Sequence, residues 1–287
     1  MTDPLPDAGV AFAERAVHLP GPDALVVADL HVGRGEASAV SLPLGERADL
    51  TDRLGALLDR FGPATLVVAG DVVHTFDRVS DRALETLRAV REACAARGAD
   101  LRLVAGNHDT ALAAAWDDPV RESVVLETPA DRVGPAATAE TDASTETAEG
   151  DGVARTTVVC HGHEAPSVAA DRYVFGHVHP TIEIEGDRRP CFLFGAGTYR
   201  GADVLLLPAF TRLAAGVAVN HLRADAFDSP LVTDADRLAP IVVDSGTTNA
   251  DGEGDEHGGS DAAAPSDAPE AGEPLRFPPL GEFRELL

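Results

Sequence analysis

The chain contains no lysine: all 23 basic side chains are arginine, against 48 aspartates and glutamates, a net charge of −25. No basic stripe runs along it, which argues against a wide electrostatic grip on nucleic acid, where neutralising phosphates normally dominates affinity. Cysteine is scarce as well. Cys94, Cys160 and Cys191 are scattered and form no Cys-x-x-Cys pair, which excludes a disulfide framework and fits a reducing cytosol. No apolar run approaches the ~20 residues that span a bilayer. The first residues, MTDPLPDAGV, have neither a basic n-region nor an apolar h-region, so no signal peptide is expected there and the expected location is the cytoplasm. Also missing are a Walker A loop, a Ser-His-Asp order and a Rossmann glycine fingerprint.

What is present is one construction used five times. LVVAGDVVH (66–74) is a short apolar run that stops at Gly70-Asp71, with His74 three residues on. ALVVADLH (24–31), LRLVAGNHD (101–109), TTVVCHGH (156–163) and YVFGHVH (173–179) repeat the pattern. Each run reads as a buried strand ending in Asp, Asn or His. In open α/β sheets, ligands collect beyond the carboxyl ends of the strands. Asp29, His31, Asp71, Asn107, His108, His161, His177 and His179 are therefore expected in one place. GHVH puts two imidazoles at i and i+2, on the same side of an extended segment. Carboxylate, amide and imidazole donors without thiolate suit Mn²⁺, Fe or Zn²⁺ better than a structural zinc site. Two such ions ~3.5–4 Å apart can clamp a phosphoryl group, and a histidine outside their coordination sphere is free to act as general acid. Cys160 precedes His161, but strand alternation turns it to the opposite face, as a core thiol.

Between these runs the pattern is α/β. Residues 10–19 read as one edge strand and 32–44 as a loop carrying Gly33, Arg34 and Gly35. Residues 45–62 have an apolar stripe at 50, 54, 57, 58 and 61, an amphipathic helix ended by Gly62-Pro63. Residues 80–98 form the clearest helix, with Ser80 as N-cap and Gly98 as stop. A short helix is expected near 110–116 and further strands at 123–127, 155–160, 172–176, 181–185 and 191–194, with another run near 203–219. The tract 134–152 has five acids, no arginine and no large apolar residue; 244–273 has nine acids and no arginine. Neither can bury enough surface to order itself, so they read as a disordered insert in a 1–243 domain and a disordered linker. Without them 34 acids face 23 arginines, so much of the acidity lies in these tracts. Acidic excess, small residues and absent lysine resemble proteins of salt-loving archaea. The terminal LRFPPLGEFRELL places Leu280, Phe283 and Leu287 at helical spacing: a turn of helix docked on its own domain, or a short segment that binds a partner.

D-x-H, G-D-x-x-H, G-N-H-D, H-G-H and G-H-x-H, in this order over about residues 24–180, resemble the calcineurin-like metallophosphoesterases. CFLFGAG (191–197), LLLPAF (205–210) and AAGVAVN (214–220) are similar to a narrower group, the archaeal SbcD-related phosphoesterases and the DNA-ligase-associated phosphoesterase PdeM. The resemblance implies a four-layer α/β/β/α sandwich of two mixed sheets flanked by helices. It implies two divalent ions, Mn²⁺ foremost, one on Asp29, His31, Asp71 and His179, the other on Asp71, Asn107, His161 and His177. A bridging hydroxide would attack phosphorus while His108 assists the leaving group, with His74 a further catalytic candidate near the scissile phosphate. In His161-Gly162-His163 one imidazole suffices as ligand, and His161 is preferred. Asp109 is expected to orient a neighbour or cap the next helix. Arg34 is a candidate for substrate phosphate, and Trp116 or Phe76 for stacking on a base. The implied activity is hydrolysis of a phosphodiester, DNA in repair, in company with a helicase or ligase. A small-molecule nucleotide phosphodiesterase or phosphatase is the alternative. A scaffold without catalysis would have lost a ligand or His108, and all are present.

Overall fold

A computed structural model describes residues 10–37, 45–130, 154–243 and 274–284. The expected acidic insert 134–152 and linker 244–273 lie outside the described residues.

The first sheet is built from β1 (Ala11–Ala13), β2 (Ala16–Leu19), β3 (Ala24–Val27), β4 (Thr65–Ala69), β5 (Asp100–Val104) and β6 (Val120–Arg121), side by side in that order. β1, β2 and β3 are antiparallel, and β3 to β6 are parallel. The crossovers carry α1 (Arg34–Ala37), α2 (Glu46–Phe61), α3 (Asp81–Ala95) and α4 (Leu112–Ala115). Residues 10–19 thus form a hairpin, not one strand, turning at Glu14 with φ 51°. The loop expected over 32–44 includes α1. Helix α3 stops at Ala95, before Gly98, because the backbone of 96–98 folds back onto carbonyls 92, 94 and 95. Ser80 caps α3, its hydroxyl accepting from the Ala83 N–H at 3.0 Å. Gly62, in the left-handed region, closes α2 by donating to Leu58 O.

The second sheet comprises β7 (Ser123–Thr128), β8 (Arg155–Cys160), β9 (Arg172–Phe175), β12 (Phe192–Tyr199), β13 (Ala202–Leu206), β15 (Ala239–Val242) and β16 (Leu275–Arg276), in the order β16-β15-β12-β13-β9-β8-β7. Here β8, β9 and β13 are parallel and the remaining pairs antiparallel. A small third sheet joins β10 (Pro180–Ile184), β11 (Asp187–Pro190) and β14 (Val217–Ala218).

Both faces of the central strands are buried, which is why they read as continuous apolar runs. In β3, Leu25 and Val27 pack under α2 and α3 while Val26 faces the second sheet; Val68 and Val67 of β4 divide in the same way. In β8, Val159 lies between the sheets, and Val158 and Cys160 face outward. That outer face is covered by α5 (Leu280–Phe283) and by the short 3₁₀ turns between Val219 and Arg237. The architecture is the four-layer mixed α/β sandwich, with short turns in place of long helices in its last layer. Leu280 and Phe283 are buried against their own domain. Cys94, Cys160 and Cys191 are buried free thiols, with burial pushing Cys160 up to about 12. Among the described residues no helix is long and apolar enough to cross a membrane.

Candidate metal centre

The register of the parallel strands sets the site. Val27 lies beside Val68, and Val68 beside Leu103, so the first three motifs leave the sheet at one level. The pairing continues past the strands: Asp29 N–H donates to Gly70 O, His31 N–H to Asp71 O, and Val32 N–H to Val72 O, at 2.9–3.1 Å. The two sheets meet where Ala28 pairs with Ala209, and Phe210 N–H donates to Ala28 O at 2.7 Å. That junction sets Gly176 and His177 against Asp29, whose carboxylate accepts from His177 N–H at 3.0 Å. Gly106 and Gly176 are required by close approach: a methyl group on Gly106 would overlap Asp71, and one on Gly176 would overlap the Asp29 carboxylate.

Two groups of electron-pair donors result. In one, Nε2 of His179 lies 3.3 Å from Nε2 of His31 and 3.4 Å from Oδ1 of Asp29, and Oδ2 of Asp71 lies 3.7 Å from Nε2 of His31. In the other, Nε2 of His161 lies 2.9 Å from Oδ1 of Asn107, 3.1 Å from Nδ1 of His177 and 3.4 Å from Oδ1 of Asp71. Asp71 turns one oxygen to each group. Nδ1 of His161 faces two acceptors, Ala69 O at 3.3 Å and Oδ1 of Asp29 at 3.7 Å. Nδ1 therefore carries the proton, and the Nε2 lone pair faces other lone pairs. So many oxygen and nitrogen donors drawn together around Asp29 and Asp71 fit a cation. Nδ1 of His31, on the other edge of the ring, is buried without a partner.

The electrostatics agree. Burial pushes His31 down to about 3 and His161 to about 4, leaving neutral imidazoles, the form that binds metal. Burial and then the charge of Asp29 push Asp71 up to about 7. Burial also opposes ionisation of Asp29, yet the hydrogen bond and charge of His179, which Asp29 in turn holds above its usual range, lead the causes that outweigh it and hold that carboxyl below its usual range. Five of these residues, Asp29, His31, Asp71, His177 and His179, have φ between 44° and 73°. Non-glycine residues there cost of order 1–3 kcal/mol each and concentrate at functional sites.

The remaining candidates fall around this centre. His108 has Nδ1 2.8 Å from the carbonyl of His74, so that nitrogen donates, and its Nε2 lies 3.7 Å from Oδ2 of Asp71. Its N–H also donates to Asp71 Oδ1 at 3.0 Å. The His74 ring stacks beside it with centroids 5.8 Å apart. Burial lowers His74, and the nearby positive charge of Arg34, at the start of α1, lowers it further. His163 stands beside the second group, its ring centroid 5.0 Å from that of His161 and 6.0 Å from that of His177. Asp109 takes no place among the donors. Its carboxylate accepts from Val72, Val73 and Gly106 N–H at 2.8–3.1 Å and ties the GDVVH and GNHD loops together. Trp116 is buried under Arg91 and cannot reach a substrate. Asp228, 3.8 Å from Nε2 of His177, follows no strand end, so nothing in the sequence pointed to it.

The family model for calcineurin-like phosphoesterases matches residues 23–181. No curated protein matches the sequence significantly. Among solved structures, the chain is 23% identical to the Pseudomonas putida nuclease MPE, over 79% of this chain and 88% of that one, with TM-score 0.46. It is 16% identical to Yfce, a phosphoesterase from E. coli, over 64% of this chain and 77% of that one, with TM-score 0.34.

Proposed function

Because the chain belongs to the calcineurin-like phosphoesterases, metal-dependent hydrolases of phosphoesters, we propose that it is a dimetal phosphodiesterase acting on nucleic acid. The observation that carries this reading is Asp71, set between two groups of facing lone pairs. In this reading Asp29, His31, Asp71 and His179 hold one ion, and Asp71, Asn107, His161 and His177 the other. When bound, the ions would supply Lewis acidity and positive charge for phosphoester hydrolysis. These mixed carboxylate, amide and imidazole donors suit Mn²⁺, Fe or Zn²⁺, and Mn²⁺ is the ion proposed.

The residues around them do the rest. The His74 carbonyl fixes Nδ1 of His108 as a donor, which leaves Nε2 to give a proton to the leaving oxygen. The proton it gives is that of the doubly protonated ring, whose Nε2 lies 3.7 Å from Oδ2 of Asp71. Arg34 puts a positive charge near His74 and His179, where an incoming phosphate would sit. Beside His108 and His74 a groove of about 540 Å³ opens, enough for the second substituent of a diester. DNA as the physiological diester, with a role in repair and a helicase or ligase partner, rests on the likeness of residues 191–220 to SbcD-related proteins. Hydrolysis of a small nucleotide is the second reading, favoured by the acidic excess and the lack of a basic stripe in the sequence.

Two experiments test the centre. Protein stripped by chelator should lose turnover of a generic phosphodiester and regain it on adding Mn²⁺. Two bound ions with no turnover of diester or monoester would refute an enzyme, and preference for the monoester would favour a phosphatase. The variant Gly106→Ala should push Asp71 out of place and lower retained Mn²⁺ affinity by about tenfold or more, read by titration of the stripped protein. Unchanged affinity would remove Asp71 from the ligand set.

A further inference from the structure

Phe76 is the one aromatic side chain among the described residues that is about half exposed, at 49%. It is not loose. One face lies on the His108 ring, with centroids 3.9 Å apart and planes 29° apart. The segment bearing it is pinned at both ends: Thr75 Oγ1 donates to Arg78 O at 2.6 Å, and Ser80, the cap of α3, donates to Glu36 Oε1 at 3.2 Å. Phe76 lines the 540 Å³ groove together with the apolar Val32 and Ala83. Arg78 stands on the same rim with the carboxylates of Glu36 and Asp77.

This groove suits a flat, uncharged group. Glu36 and Asp77 would repel a second phosphate, yet their oxygens can accept hydrogen bonds from exocyclic amino groups. Phe76 and His108 both line the groove, so a group bound there would lie beside the oxygen that His108 serves. We propose that Phe76 is a specificity platform, on which the nucleobase carried by the leaving group stacks. The proposal rests on the phosphodiesterase reading above and narrows its substrate to diesters that bear a base on the leaving side. A preformed aromatic wall also answers the lack of lysine: stacking is insensitive to salt and sequence-tolerant, whereas phosphate contacts weaken as salt rises.

The test compares two phosphorothioate strands of equal length and charge, one oligothymidylate and one with abasic deoxyriboses. Phosphorothioate resists hydrolysis, so affinity is read by fluorescence anisotropy on the Mn²⁺-loaded protein in molar KCl. Wild type should prefer the base-bearing strand by about tenfold or more. Phe76→Ala should bring the two affinities together, and Phe76→Trp should keep the preference. The proposal is overturned if wild type shows no preference, if Phe76→Ala keeps it, or if both strands weaken equally, which would make Phe76 only a support for His108. Failure of the underlying reading shows separately, as no turnover of an ordinary diester by the same Mn²⁺-loaded wild type.

Discussion

Asp71→Ala should reduce phosphodiester turnover by about a thousandfold or more, since it withdraws an oxygen from both donor groups at once and with it the charge stabilisation they support. Nε2 of His31 and of His161 would each lose a carboxylate at 3.4–3.7 Å. The His108 N–H would lose its acceptor as well. Steady-state kinetics with saturating Mn²⁺ checks the prediction, and residual activity within tenfold of wild type contradicts it. The metal-free protein gives an independent readout. Burial and Asp29 raise Asp71 from 3.8 to about 7, so in that window the folded state holds a proton the unfolded chain has released. Stability from this group is full below pH 4 and falls as pH rises to 7. Asp71→Asn keeps the shape without the charge. Its metal-free melting temperature should therefore gain on that of wild type between pH 5 and 8, and parallel curves would contradict the assignment.

His108→Ala should show an effect that depends on the leaving group. A nucleoside or alkyl alcohol leaves as a strongly basic alkoxide unless protonated, so losing the acid should cost about 10²–10⁴-fold in kcat. A p-nitrophenolate leaves without that help, and its ester should lose far less. Dividing the two losses isolates proton donation from any shift of Asp71, which would slow both substrates alike. Equal losses would reassign His108 to positioning.

The strands that carry the site were legible because parallel strands buried on both faces cannot hide: LVVA, ALVV and VVC have no polar residue to break the run. Their ends were legible because Asp, Asn and His are out of place after such runs. What stayed hidden was set by contacts between distant segments. VAFAERAVHL alternates as one strand would, and nothing local marks Glu14 as the left-handed turn of a hairpin. β11, with the sequence DRRP, is charged and ends in proline, as an edge strand tolerates but no strand rule selects. Asp109 was expected to steer a neighbour, yet its reach to Val72 and Val73 depends on two loops meeting. Phe76 and Trp116 looked alike as candidate stacking residues. Only their surroundings separate them, one against α3 and Arg91, the other against His108 and solvent.

The left-handed backbone at Asp29, His31, Asp71, His177 and His179 has an evolutionary corollary. At each of these positions glycine would relieve the conformation that the native side chain endures. Selection acting on foldedness alone would replace them one after another and leave a more robust, inert sandwich. A laboratory population of this gene propagated under heat without demand for hydrolysis should accumulate glycines at these five codons before it alters the core beneath them.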